Sequence, residues 1–202
     1  MTGAFAPQGE AATREVAASR ASRGRRGARA HYNARVMTAV RYAPGRPFPV
    51  YAFLPGRDPH PTRDPRGHSF GAEAARPPCL PPGRWRESEA YLYGVDLYNH
   101  GYLWEAHEAW EGLWHASKSD ADQAAFLQGL IQCAAAALKI PMEQPGGLTR
   151  LAGMGAARLE EVARRAGARF MGLEIPAFVR EFRAFAASEP ASIDARPRIA
   201  LG

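Results

Sequence analysis

No stretch of this sequence comes near the run of about 18 apolar residues that a membrane-spanning helix requires. The N-terminus also lacks the shorter apolar core of a secretory signal. Cysteine is scarce: Cys79 and Cys133 are the only two, one in a Pro-rich segment and one in an apolar helical pattern. That excludes a disulfide framework and a cysteine-knuckle metal site, and it fits reduced thiols in a cytoplasmic protein. Strand-like alternation of apolar and polar residues is missing too, which points to an all-α fold.

Acidic residues are nearly absent from the first 36 positions, where seven arginines face only Glu10 and Glu15. This segment holds +5 of the formal +6 of the 202-residue chain, so the folded remainder is close to neutral. Rich in Ala, Arg and Gly and without an apolar period, residues 1–43 are expected to form a disordered basic tail. Met37 is an alternative start, and an Arg-rich organelle-targeting peptide is the runner-up reading. Nucleic acid would be drawn to such a tail only through its charge, without being read.

Eleven prolines between Pro44 and Pro82 exclude helix from the next zone. Phe48, Val50, Tyr51, Phe53 and Leu54 give it enough apolar surface to pack, and the prolines lower the entropy lost when it does. Residues 44–85 therefore read as a strap lying along a bundle.

Residues 86–188 have helical period, followed by a C-terminal tail at 189–202. The first helix is expected from Glu87 to about Asn99, stopped by Gly101. The second runs from about Tyr102 to Ala116. The third is capped by Ser119 or Asp120, continues to about Ile140, and is ended by Pro141. The fourth has Thr149 near its start and runs to about Ala166. The fifth opens with Pro176 and buries Phe178, Phe182 and Phe185. About five helices with a strap and a tail make the expected architecture.

The second helix carries the chemistry. At 100° per residue, Leu103, Trp110 and Trp114 fall on one side of His107, and Trp104 and Glu111 on the other. His107 and Glu111 thus read as the middle of an apolar stripe, Glu108 as its border, and Glu105 and Ala109 as facing water. A carboxylate among tryptophans must be paired, protonated or bound to a metal. Gln128, Gln132 and Lys139 form a polar seam on the otherwise apolar third helix, and one reading joins that seam to His107 and Glu111 as a structural network.

The functional reading makes His107 and Glu111, at i and i+4, ligands of a divalent ion such as zinc, manganese or iron. Glu108 then stands where a general base would, and Gln128, Gln132, Lys139, Trp110 and Trp114 surround the ligands. Further ligands would come from His60, Asp64 and His68 of the strap, which otherwise form part of a solvated loop. His100 reads as a helix-end residue and His115 as a surface one.

These residues resemble a bacterial and archaeal family known as domain of unknown function number 309. The resemblance rests on His107, Glu111 and Trp114 as H-x-x-x-E-x-x-W, on Tyr98-Asn99-His100-Gly101-Tyr102 with Glu105-Ala106, and on Leu127-Gln128-Gly129-Leu130-Ile131-Gln132. It covers roughly residues 89–160, and the His60-Pro61-Thr62-Arg63-Asp64-Pro65 element is similar to the strap of longer members. It implies a helical bundle and a metal-binding role for His107 and Glu111, but no particular reaction.

Two functions follow: a metal-dependent hydrolase, or a non-catalytic interaction module. The second rests on the likeness of Tyr98–Ala106 to one tetratricopeptide hairpin, although a single such unit cannot bury its own face. Partners, including a second copy of the chain, are left open.

Overall fold

A computed structural model describes residues 40–72 and 77–202. The basic tail through residue 39 and the alternative start at Met37 lie outside the described residues. The expected helical bundle is present. A 3-10 helix, Pro82–Glu87, leads into α1 (Glu89–Asn99), α2 (Leu103–Ala116), α3 (Ala121–Leu138), α4 (Pro145–Ala166) and α5 (Ile175–Ala187). Each helix packs on the next in sequence, a small hairpin forming the connection between α4 and α5, and α3 lies between α2 and α4.

Local chemistry sets the boundaries. Gly101, at φ 85°, lets the chain reverse after α1, and the Tyr102 N–H reaches back to the Leu97 carbonyl at 2.8 Å. The Asp120 carboxylate caps α3 by accepting the Gln123 N–H at 2.9 Å. Helix α4 begins four positions before the expected Thr149. Pro145 occupies its first turn, and the weak helix formers Gly146 and Gly147 hide that turn from a propensity reading.

Close backbone approach sets the crossings. A Cβ at Gly94 would meet the Trp110 indole nitrogen at 2.3 Å, so α1 and α2 touch through that glycine. At the α3–α4 crossing, a Cβ at Gly129 would meet the Leu159 Cγ at 2.7 Å, and one at Gly155 would meet the Cys133 sulfur at 2.9 Å. The core between these helices includes Tyr91, Tyr98, Trp110, Phe126, Leu130, Leu159 and Phe182, all buried.

The hairpin was not expected. Strands β1 (Arg169–Phe170) and β2 (Leu173–Glu174) pair antiparallel, and each is too short to show alternation. Met171 and Gly172, at φ 45° and 82°, make the two-residue turn, and Tyr91 fixes it by donating its hydroxyl to the Met171 carbonyl at 2.9 Å.

The strap does lie along the bundle, and the chain is held from Arg41 onward. Asp96, fully buried on α1, accepts the Tyr42 N–H at 2.7 Å, the Ala43 N–H at 2.9 Å and the Arg41 Nε at 2.9 Å. Tyr93 donates to the Pro47 carbonyl, and Phe48 stacks on Tyr102 with centroids 5.0 Å apart. The C-terminal segment is held as well. Arg196 donates to the Tyr98 and Asn99 carbonyls, Ile199 is buried, and Leu201 bridges to Leu173.

Candidate metal centre

The bundle-facing stripe of α2 is Leu103, Ala106, Trp110 and Leu113, all buried. Its centre lies roughly 80° around the helix from His107, so the expected phase is displaced. His107 and Glu111 flank the stripe, with side chains 31% and 39% exposed, and they are not embedded among tryptophans. Trp104 and Trp114 are half-buried rims; the Lys118 ammonium sits over the Trp114 ring. Trp110 is a core residue whose indole donates to the Tyr91 carbonyl at 3.3 Å.

Glu105 also departs from its expected place. It does turn away from the bundle, but not to water: it is only 6% exposed because the strap covers it. Its Oε1 accepts the Phe53 N–H at 2.9 Å and lies 3.1 Å from His68 Nε2. Its Oε2 is buried without a hydrogen-bond partner among the described residues. Burial raises the Glu105 pKa, opposed by the Phe53 N–H and His68. The one sequence signal for this contact was the strap itself, whose apolar residues had to cover something.

On the outer side of α2, His107, Glu108 and Glu111 come together. Each offers a ligand atom within 4.8 Å of the others, and His107 Nε2 is 3.6 Å from a Glu111 oxygen. Burial lowers the His107 pKa, against the pull of Glu111. Partial enclosure and then the charges of Glu111 and Glu105 raise the Glu108 pKa, against that of Arg63.

Strap residues approach this face unequally. His60 packs edge-on against Trp104, one turn before Glu108, with centroids 5.6 Å apart, and its Nδ1 accepts the Thr62 N–H at 3.3 Å. Asp64 is spent on Arg66, which holds its pKa at about 2 through two side-chain bonds and a backbone one. His68 belongs to Glu105, and its Nδ1 to the Ser69 hydroxyl at 2.8 Å. None of the three joins the His107–Glu108–Glu111 group.

The seam on α3 does not reach the group by hydrogen bonds either. The Gln132 amide oxygen accepts from Arg158 on α4 at 3.4 Å, and the Lys139 chain lies against Gly147 and Met142. Gln128 is half-buried and makes no hydrogen bond among the described residues. Helix α3 presents these residues towards α4 because α2 already covers its opposite side. His100 is buried at the end of α1, where its Nδ1 lies 2.8 Å from the Asp96 carbonyl oxygen, and His115 is exposed.

Residues 91–151 match the model of a family described as Domain of unknown function (DUF309). Over these residues the chain is similar to that family. The match runs from α1 through α3 into the first turns of α4, and so contains the whole His107–Glu108–Glu111 group. No curated protein and no solved structure matches the chain. Among the described residues, no helix of the DUF309 segment or its surroundings is long and apolar enough to cross a membrane.

Proposed function

We propose that the DUF309 segment binds a divalent cation through His107, Glu108 and Glu111 and serves as a metal-dependent hydrolase. The supporting observation is the convergence of one imidazole and two carboxylates, with ligand atoms within 4.8 Å, on one accessible helix face. The donor chemistry fits. Two carboxylates balance a dication, and a mixed nitrogen and oxygen set suits zinc, manganese or iron better than calcium, which takes about six to eight oxygens. Ligand bonds of about 2.0–2.2 Å require these atoms to draw closer, which half-exposed side chains on one helix do by rotation.

Residues i, i+1 and i+4 leave one hemisphere open, the arrangement of a catalytic site and not of a closed structural one. A cation held there supplies Lewis acidity to a carbonyl or phosphoryl oxygen. His107 and Glu111 are the principal ligands. Glu108 is assigned as the third ligand in preference to a general base, because two protein donors from one helix would hold an ion weakly. The lowered His107 pKa keeps the imidazole neutral and available as a donor near neutral pH. Trp104 and Trp114 stand about one turn before His107 and one turn after Glu111 on the same helix.

Elemental analysis of metal-supplemented protein after exhaustive buffer exchange tests the reading. One bound ion per chain is expected, lost in both His107→Ala and Glu111→Gln. Protein that retains no ion, or variants that retain it fully, would overturn it.

A further inference from the structure

Outside the cation group, three hydrogen-bonded side chains run outward from the contact between α2 and the strap. The side chains of Glu105 and His68 are 5% and 7% exposed, and Ser69 is half-buried at the surface. Their bonds fix the tautomer of the imidazole. Glu105 Oε1 already accepts the Phe53 N–H at 2.9 Å, so it also accepts from His68 Nε2, at 3.1 Å. The ring proton therefore sits on Nε2, and the bare Nδ1 accepts the Ser69 hydroxyl at 2.8 Å.

Anchoring the strap requires only the bond to Glu105. The second bond aims the imidazole lone pair at an alcohol, and the buried acid, the buried base and the accessible hydroxyl then follow in the order that activates a serine nucleophile. The backbone holds that hydroxyl in place. The Ser69 N–H is bonded to the Pro61 carbonyl at 3.0 Å, and the Ala72 N–H returns to the Ser69 carbonyl at 3.2 Å through a turn with Gly71 at φ 73°. The Gly71 N–H makes no hydrogen bond among the described residues, and Phe70 beside it is 52% exposed.

We propose that Ser69 is a nucleophile activated by His68, with Glu105 as the positioning residue, and that it cleaves small acyl esters. The Ser69 oxygen bonds to the ester carbonyl carbon as its proton passes to His68 Nδ1; the ester C–O bond then breaks and the alcohol leaves with that proton. Water adds to the acyl-serine, and its proton returns through His68 to Ser69 as the carboxylic acid departs. The Gly71 N–H serves the oxyanion, and Phe70 offers apolar surface to the acyl chain. The site stands independently of the cation reading, since none of its residues belongs to the His107–Glu108–Glu111 group.

Labelling of the full chain with a fluorophosphonate probe tests the assignment, with EDTA present to keep the cation group out of the reaction. One probe per chain is expected on Ser69 by peptide mass spectrometry, a P–O bond replacing the P–F bond as fluoride leaves. Ser69→Ala should abolish labelling and leave the urea midpoint unchanged. His68→Ala should slow it at least about 100-fold. Glu105→Gln should lower kcat for p-nitrophenyl acetate and leave KM unchanged. No label on Ser69, labelling at the same rate in His68→Ala, or a Glu105→Gln loss carried by KM alone would overturn the proposal.

Discussion

His68 Nε2 and the Phe53 N–H share one oxygen of Glu105, at 3.1 Å and 2.9 Å, and thereby fasten both ends of a strap turn to α2. The residues between them include His60 and Arg63, which attend Trp104 and Glu108. Glu105 is thus the anchor of the strap as well as a neighbour of the metal centre. Replacing it with Ala strands a buried N–H and a buried imidazole. Glu105→Ala should lose about 2–3 kcal/mol in urea unfolding and make residues 53–68 susceptible to limited proteolysis. Glu105→Gln keeps an acceptor oxygen and should lose less; equal losses would show that the shared oxygen is not the anchor.

Titration with Zn²⁺ or Mn²⁺ should separate the three members of the metal centre from their surroundings. His107→Ala, Glu108→Gln and Glu111→Gln should each weaken binding by more than about 100-fold, beyond what loss of a residue that only orients a ligand usually costs. Asp64→Asn and His68→Ala should leave it within about tenfold, because neither side chain joins the group.

The helices, their order and the lie of the strap were legible because each has a local cause: apolar period, Asp120, Gly101, Pro141, Pro176 and the proline run. The phase of α2 was not. Trp104 and Trp114 weigh heavily in an angular plot, yet both lie at its rims, against Phe53 and His60 in one case and Lys118 in the other. They pulled the stripe towards His107 and away from Leu103, Ala106, Trp110 and Leu113. Burial of Glu105 was illegible for a different reason. It depends on a segment 37 to 52 residues away folding over the outer side of the helix, and no single-helix periodicity contains that. The pairing of His107 with Glu111 was legible because i,i+4 neighbours meet on any helix, whichever way it faces.

Gly94→Ala tests the approach of α1 to α2. The added methyl would lie 2.3 Å from the buried Trp110 indole nitrogen, which has no free space into which to move. A loss of about 1–3 kcal/mol or more is expected in chemical denaturation, with a change in Trp fluorescence. Gly153→Ala, with nothing within 4 Å of the added carbon, should be neutral or stabilising.

Alkaline pH should unfold the protein through its buried phenols. Burial pushes Tyr91 and Tyr98 far above the ordinary value of 10.0. Their folded-state pKa values are raised, so the associated stability is fully present below the unfolded value and is lost as pH climbs above it. Urea midpoints should be flat with respect to these groups up to about pH 9.5 and fall beyond it. Tyr98→Phe, which removes a hydroxyl donated to the Pro197 carbonyl at 3.2 Å, should cost about 1 kcal/mol at neutral pH and soften the alkaline fall.

The two thiols should respond differently to alkylation. Cys79 is exposed, whereas Cys133 is buried against Gly155 and its thiol is held well above its ordinary range by burial. Iodoacetamide should label Cys79 alone in native protein and both residues in denaturant, read by peptide mass spectrometry. Native labelling of Cys133 would mean that the α3–α4 crossing opens.

The C-terminal segment gives the molecule an order of assembly. The last carbonyls of α1 take their donors from Arg196, and the Asn99 amide is bonded in both directions to the Ile199 backbone, 100 residues further on. A chain emerging from the ribosome therefore forms α1 long before it can finish the end of that helix. Until residue 199 is free of the exit tunnel, the Asn99 amide is left to water. The turn between α1 and α2, although set locally by Gly101 and the Tyr102–Leu97 bond, thus has its remaining polar groups satisfied only by the C-terminal segment.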